Sequence, residues 1–129
     1  MAHLIELDTF HSSAGELTVL EKILPGTIKR VFYIHKTHDQ DVRGGHRHKE
    51  SYHALVCLKG ACEVYVQTKD SEQRYLLNQS NLALVLDPSD WRLMDNFEED
   101  SILLVVSNQY FSEEDYIYEP YQQIMLEPA

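Results

Sequence analysis

Runs of apolar or alternating residues recur along the chain, and turn-forming residues separate them at the spacing typical of a β-sandwich or β-barrel. In the run at 62–68 the polarity alternates, which places Val64 and Val66 on one face of a predicted strand. The runs at 81–87 and 101–107 are apolar throughout, which is typical of central strands covered on both faces. The predicted strands cover residues 18–23, 29–36, 53–60, 62–68, 74–78, 81–87 and 101–107.

One short helix is predicted near the C-terminal end, where Ser112 precedes three acidic residues and supplies a hydroxyl cap. Pro120 limits that helix to about two turns. The pattern as a whole predicts an all-β domain of the cupin or jelly-roll type, a double-stranded β-helix with a short C-terminal helix. The length of 129 residues indicates a single domain over residues 1–129.

The net charge of the chain limits the kinds of partner that it can bind. The chain has 21 acidic and 11 Lys and Arg residues, a formal net charge of −10, which argues against a nucleic-acid or anionic-membrane partner. No apolar run approaches the roughly 20 residues that a membrane-spanning helix needs. Cys57 and Cys62 lie in apolar, strand-like surroundings, so we expect a reducing, cytoplasmic setting.

Two histidines, His46 and His48, follow a pair of glycines and carry the most distinctive chemistry of the chain. In a strand, residues two apart point to the same face, so the two imidazoles project together. In a small barrel one of those faces is the interior. Two imidazoles that enter a concave site either bind a metal ion or transfer protons.

The metal hypothesis depends on further ligands. Metal-binding cupins use three histidines and one glutamate, but here Tyr52 or His53 falls at the glutamate position and Leu93 at the position of the last histidine. His53 could complete a three-histidine site of the catalytic zinc type. A regular strand would turn it to the opposite face, however, so a β-bulge would be needed. Arg92 would also repel a cation.

Several stretches of the sequence resemble the cupin family of nucleotide-sugar 3,4-ketoisomerases, which act on dTDP-4-keto-6-deoxyglucose. The elements RG-x-HxHK and Y-[FY]-x-E-x-DYI are not expected of a generic cupin. The matching stretches are RVFYI (30–34), RGGHRHK (43–49), ALVCLKGACEVYV (54–66), PSDW (88–91), ILLVVSNQYFSEEDYI (102–117) and Tyr121.

The resemblance implies a metal-independent enzyme without a cofactor. Its motif histidines map to His46, beside sugar carbon 4, and to His48, beside carbon 3 and the expected base. The motif arginine maps to Arg43. The family forms homodimers in which the N-terminal strand is exchanged between subunits. The chain departs from the family pattern at several positions, which include Gly45, Arg47 and the pair Tyr52 and His53 in place of the usual Glu-Gln.

The reaction moves a ketone from carbon 4 to carbon 3 through an enediol, and imidazole suits it because its pKa lies near neutrality. The enediolate oxygen must be stabilised, which is usually the larger contribution. Arginine binds diphosphate oxygens through a planar fork of donors. The candidates for stabilising the oxygen are protonated His46, Arg92, Tyr33 and Tyr52, and the candidates for binding the diphosphate are Arg43 and Arg30.

The sequence thus predicts a 3,4-ketoisomerase of a dTDP-linked 4-keto-6-deoxyhexose, acting in deoxyamino-sugar biosynthesis. One alternative is a metal-dependent cupin of the dioxygenase type that uses His46, His48 and His53. The other is a non-catalytic nucleotide-sugar binding module. The galacto or gluco configuration of the product stays open, because it depends on which face of carbon 4 meets the proton donor.

Overall fold

The computed structural model describes residues 1–122, so residues 123–129 of the predicted domain lie outside the described part of the chain. Within residues 1–122, no helix is long and apolar enough to cross a membrane. The described chain is built from strands and one single-turn 3-10 helix, at Glu113–Asp115. The strands are β1 (His3–Glu6), β2 (Thr9–Ser12), β3 (Gly15–Thr18), β4 (Arg30–His35), β5 (Arg43–His48), β6 (His53–Lys59), β7 (Cys62–Gln67), β8 (Glu72–Leu77), β9 (Leu82–Leu86), β10 (Trp91–Asp95), β11 (Ile102–Ser107) and β12 (Tyr116–Ile117).

The strands form two antiparallel sheets of five strands, with orders β1-β9-β6-β11-β4 and β12-β5-β10-β7-β8. The hairpin β2-β3 forms a separate two-stranded sheet. The main core lies between the two large sheets, because its buried side chains come from both. The predicted all-β, jelly-roll arrangement of two sheets is confirmed. The core residues include Ile34, Leu55, Cys57, Leu84, Leu86, Leu103 and Val105 of the first sheet and Cys62, Val64, Val66, Leu77 and Met94 of the second.

Most of the predicted strands coincide with observed ones, and the apolar runs form β9 and β11 inside the first sheet. The prediction over 18–23 is wrong, because β3 ends at Thr18 and the following segment packs Leu20 and Ile23 against the core. The predicted runs also missed β1, β2, β10 and β12 and met β3 only at Thr18. These strands are only two to five residues long, too short for a periodicity to stand out. Strand β5 lies outside the predicted runs as well, although the HxH argument requires a strand there.

The predicted two-turn helix is also wrong. Ser112 makes no side-chain cap hydrogen bond, and the helical conformation lasts only for the single 3-10 turn. The chain then becomes extended, because Tyr116 and Ile117 pair with His48 and Arg47 at the edge of the second sheet. Strand pairing therefore prevails over the local helix signal and anchors this segment beside the HxH strand.

The paired glycines shape the strand that carries the HxH motif. Gly44 has a φ of +90°, and a Cβ atom there would lie 2.9 Å from the carbonyl oxygen of Arg92. The register between β10 and β5 shifts next to this contact, between Arg92 and Leu93. Glycine is therefore required for the close approach of the two strands, which sets His46 directly opposite Arg92.

Candidate active site

A cavity of about 410 Å³ opens between the two sheets, within the size range of small-molecule sites. Strands β4, β6, β9 and β11 of the first sheet supply one wall, and β5, β10 and β12 of the second sheet supply the other. Polar groups are concentrated among otherwise apolar walls, as in many ligand sites. The lining residues are Arg30, Phe32, Tyr33, Ile34, His35, Arg43, Gly44, His46, His53, Leu55, Leu86, Arg92, Met94, Val105 and Tyr116.

The two HxH imidazoles lie together, as the strand periodicity predicts. The rings of His46 and His48 meet edge to face, with centroids 4.8 Å apart. His46 lines the cavity, whereas His48 is only 4% exposed and sits behind it. Tyr116 contacts both rings, at centroid distances of 4.5 and 4.7 Å. The pair therefore forms a packed cluster at the cavity wall.

His53 joins this cluster from the opposite sheet. The expectation that it would turn away from the pair is wrong, because no regular strand connects the two. Strand β5 ends at His48, and residues 49–52 cross to the other sheet, where β6 begins at His53. The His53 ring lies 4.6 Å from the His48 ring, centroid to centroid. Three imidazoles thus meet without a β-bulge.

The carboxylate of Asp115 holds His48 in place. Nδ1 of His48 lies 2.7 Å from Oδ2 of Asp115, which also accepts a hydrogen bond from the Ser51 hydroxyl. Oδ1 accepts the backbone N–H groups of Lys49 and Glu50. Burial raises the pKa of Asp115, but these hydrogen bonds outweigh it and bring the pKa below its ordinary value. Asp115 is therefore a carboxylate with firmly fixed orientation.

Sequence reasoning did not find Asp115. The local pattern indicates only an acid in the first turn of a helix at this position, although the residue lies inside the late DYI element that carries the resemblance. The DYI element was thus the available signal. The 3-10 turn aims the carboxylate at the loop after β5, which supplies three of its four donors.

Arg92 lines the cavity and is only 3% exposed. Its guanidinium donates hydrogen bonds to three acceptors. Nε bonds the carbonyl of Asp90, and Nη2 bonds the carbonyl of Asp87. Nη1 lies 3.3 Å from Nδ1 of His53 and so connects the two sheets. Burial lowers the Arg92 pKa to about 10, which leaves the side chain charged at neutral pH.

The environment keeps all three imidazoles neutral at pH 7. Burial, followed by the charge of Arg92, lowers the pKa of His46 and of His48 to about 4. The same two causes lower the pKa of His53 to about 2. This environment disfavours a protonated His46 as the group that stabilises an enediolate, and Arg92 is the cation nearest the cluster.

The other predicted substrate-binding residues divide into two groups. Arg43, Arg30 and Tyr33 line the cavity, and the Arg30 guanidinium stacks over Phe32, 4.3 Å from the ring centroid. Tyr52 does not line the cavity, which corrects that prediction. It packs with the buried cluster around Leu24, Ala54, Val85 and Val106, because adjacent residues of an extended chain face opposite sides and His53 faces inward.

Arg47 faces away from the cavity, as expected of the residue between the two histidines. Its guanidinium lies 4.3 Å from the Tyr121 ring centroid on the outer side of the second sheet. The C-terminal segment covers that side, and the Gln67 side chain there accepts the Tyr121 backbone N–H at 2.7 Å. This cover explains why β7 is buried on both faces despite its alternating sequence.

The geometry also bears on the metal hypothesis. Among residues 1–122, no group of three or more His, Cys, Asp or Glu side chains is arranged to hold a metal ion. Nδ1 of His48 faces Asp115, and Nδ1 of His53 faces Arg92. The guanidinium charge beside the three imidazoles opposes cation binding there.

Comparison with known proteins adds independent observations. The family model described as WxcM-like, C-terminal (FdtA) matches residues 1–126. A TDP-4-oxo-6-deoxy-alpha-D-glucose-3,4-oxoisomerase from Aneurinibacillus thermoaerophilus is 36% identical over 107 residues, 81% of this chain and 77% of that protein. A mutant of the 3,4-ketoisomerase QdtA from Thermoanaerobacterium thermosaccharolyticum, in complex with TDP-4-keto-6-deoxyglucose, is 36% identical with a TM-score of 0.86, covering 92% of this chain and 87% of that one. WlaRA, a TDP-fucose-3,4-ketoisomerase from Campylobacter jejuni, is 34% identical with a TM-score of 0.86, covering 92% and 89%.

The match to the family model covers residues 1–126 and so includes both the HxH strand and the late DYI element. These matches confirm the resemblance to nucleotide-sugar 3,4-ketoisomerases that the motifs indicated. The structural agreement also confirms the predicted fold class. The chain belongs to the WxcM-like, C-terminal family.

Proposed function

We propose that this chain is a 3,4-ketoisomerase of dTDP-4-keto-6-deoxyglucose that works by imidazole-mediated proton transfer without a cofactor. The observation that carries the proposal is the position of His48, which is fixed by Asp115 and packed against His46 at the wall of a ligand-sized cavity. The similarity to named ketoisomerases supports the same reaction and the same class of substrate. The product then supplies a keto sugar for deoxyamino-sugar biosynthesis.

The reaction rearranges the substrate without changing its formula. A base removes the proton from carbon 3, and the electron pair of that C–H bond forms a double bond between carbons 3 and 4. The carbonyl electron pair moves to oxygen 4, which gives an enediolate. Oxygen 4 then gains the proton that the carbon 3 hydroxyl loses, and carbon 4 takes up a proton. The ketone thereby moves to carbon 3.

His48 is the base in this proposal. A carboxylate only accepts hydrogen bonds, so Asp115 requires that Nδ1 of His48 carry the proton. The lone pair of the neutral ring is then on Nε2, where it can accept the carbon 3 proton. The lowered pKa supports the role, because the imidazole is unprotonated at neutral pH. His46, in ring contact with His48, serves carbon 4.

In this proposal, arginine side chains contact both the reacting sugar and the diphosphate of the substrate. Arg92 lies nearest the imidazoles and stabilises negative charge on the enediolate. Arg43 and Arg30 line the cavity on opposite sheets and bind the diphosphate. Tyr33, on the same strand as Arg30, completes the substrate contacts.

The test is NMR of dTDP-4-keto-6-deoxyglucose incubated with the protein in D₂O. We expect the 3-keto sugar to form, with deuterium at carbon 4, and the spectrum also reports the product configuration. A bound but unchanged sugar would indicate a binding module instead. The same reaction in a chelator, with the metal content measured beforehand, distinguishes the metal-dependent alternative, because we expect activity to persist.

We further propose that the protein is a cytoplasmic homodimer of single-domain cupin chains. The hairpin β2-β3 supports this assembly, since it joins neither large sheet and its cross-strand pair Phe10 and Leu17 is 62% and 60% exposed. Because β1 pairs with β9 of its own chain, the hairpin is the segment proposed for exchange. Light scattering after size-exclusion chromatography should give twice the chain mass, and Phe10→Glu with Leu17→Glu should reduce it to the monomer.

A further inference from the structure

His53 is a polar group of the cavity that the proposed proton transfers do not use. It stands on β6 of the first sheet, whereas His46 and His48 stand on β5 of the second. Its side chain lines the cavity together with His46 and Arg92. His53 therefore faces the space between the sheets from the side opposite the HxH pair.

The Arg92 contact determines where His53 carries its proton. A guanidinium has only donors, so Nδ1 of His53, 3.3 Å from Nη1, must present its lone pair. The proton of the neutral ring is then on Nε2. A second proton on Nδ1 would place two donors face to face beside a positive charge, and the strongly lowered pKa of His53 agrees with this geometry.

His53 and its neighbour His48 are thus opposite tautomers of the neutral imidazole. His48 has its proton on the Nδ1 that meets Asp115, whereas His53 has its proton on Nε2. Within the described residues, Nε2 of His53 makes no hydrogen bond, and the side chain borders the cavity. A neutral imidazole N–H in this position can donate to a ligand without bringing a charge that must be desolvated.

We propose that His53 is a further catalytic residue, whose Nε2–H donates a hydrogen bond to an enediolate oxygen of the reacting sugar. This role rests on the proposed ketoisomerase function and deepens it. The donor faces the sugar from the sheet opposite the base, and Arg92 fixes its orientation through Nδ1. Because the bond strengthens as negative charge develops on oxygen, it should act on kcat more than on KM.

Two substitutions of His53 test the contributions of its two ring nitrogen atoms separately. His53→Asn keeps an acceptor for Arg92 near the Nδ1 position but removes the Nε2 donor. His53→Gln places an amide N–H near the Nε2 position. We expect His53→Asn to lower kcat about 10²-fold, the typical effect of losing one such donor, with little change in KM. His53→Gln should recover most of that loss.

TDP affinity by calorimetry and thermal unfolding report whether each variant is folded and binds nucleotide. An Asn variant that binds TDP normally and keeps the wild-type kcat would overturn the role of His53. If the Asn variant does not fold, His53→Gln carries the test: a wild-type-like kcat supports the donor, and a kcat about 10²-fold lower at normal TDP affinity overturns it. A wild-type protein that leaves the sugar unchanged would contradict the proposed ketoisomerase function itself.

Discussion

His48 and His53 are neighbours in ring contact, yet the protein gives their Nδ1 atoms partners of opposite charge. His48 donates to the carboxylate of Asp115, and His53 accepts from the guanidinium of Arg92. Both rings are buried and neutral at pH 7. In the proposed mechanism the same side chain is a base in one position and a hydrogen-bond donor in the other, and the partner on Nδ1 decides which.

The comparison shows that burial alone does not assign a role to an imidazole. Burial is the largest cause of the lowered pKa at both positions. It makes the neutral ring available but leaves the tautomer open. The tautomer depends on a hydrogen bond from outside the HxH motif, made in one case by Asp115 and in the other by Arg92.

The largest effect should come from removing the base. His48→Asn eliminates the Nε2 lone pair, and we expect kcat to fall about 10³-fold, within the range for a positioned general base. Turnover by NMR and TDP affinity by calorimetry give the measurement and its control. A His48→Asn enzyme within about tenfold of the wild-type kcat would assign the base to another residue.

The next effect should come from changing the partner of His48. Asp115→Asn places an amide beside Nδ1 and favours the tautomer with the proton on Nε2, so we expect kcat to fall about 10²-fold. Ser51→Ala is the matched control, because it removes one donor to the same carboxylate and leaves the His48 contact in place. Equal losses in the two variants would mean that Asp115 only supports the loop.

A smaller effect is expected at Arg43, which lines the cavity and is proposed to bind the diphosphate rather than to transfer protons. Arg43→Ala removes a proposed diphosphate ligand and should raise KM about tenfold with little change in kcat. Arg47→Ala, on the same strand but facing outward, should leave KM unchanged. A fall in kcat for Arg43→Ala would instead connect this residue with the chemical step.

The most gradual effect, spread over several pH units, concerns stability. The pKa values of His48 and His53 are lower in the folded than in the unfolded state, so the unfolded chain binds more protons below pH 6.5. The free energy of unfolding therefore decreases as the pH is lowered. For each histidine, the free energy of unfolding decreases by at most about 1.4 kcal/mol per pH unit. This decrease should end near pH 4 for His48 but continue towards pH 2 for His53. Urea unfolding of wild type and His53→Gln between pH 7 and pH 4 tests this, and parallel curves would contradict it.

The sequence was sufficient for the elements that depend on local periodicity. The period of two in a strand predicted that His46 and His48 share a face, and the apolar runs predicted the central strands. The same local reasoning failed where long-range contacts prevail. The predicted helix is a single turn because the following residues pair with β5, and His53 reaches the cavity because the chain changes sheets before β6.

The partners that assign the roles could not be predicted for a related reason. Asp115 lies 67 positions from His48 in the chain, and Arg92 lies 39 positions from His53. No periodicity connects residues at such separations, and only the order of the strands brings them together. The sequence indicates Arg92 as a candidate, but its contact with His53 crosses between the two sheets, which strand periodicity does not predict.

The most direct test of the opposed tautomers is long-range ¹H–¹⁵N NMR of the histidine side chains in the wild-type protein at pH 7. We predict that His48 carries its proton on Nδ1 and His53 on Nε2, with neither ring doubly protonated. A spectrum in which the two rings share one tautomer, or in which either is an imidazolium, would contradict it.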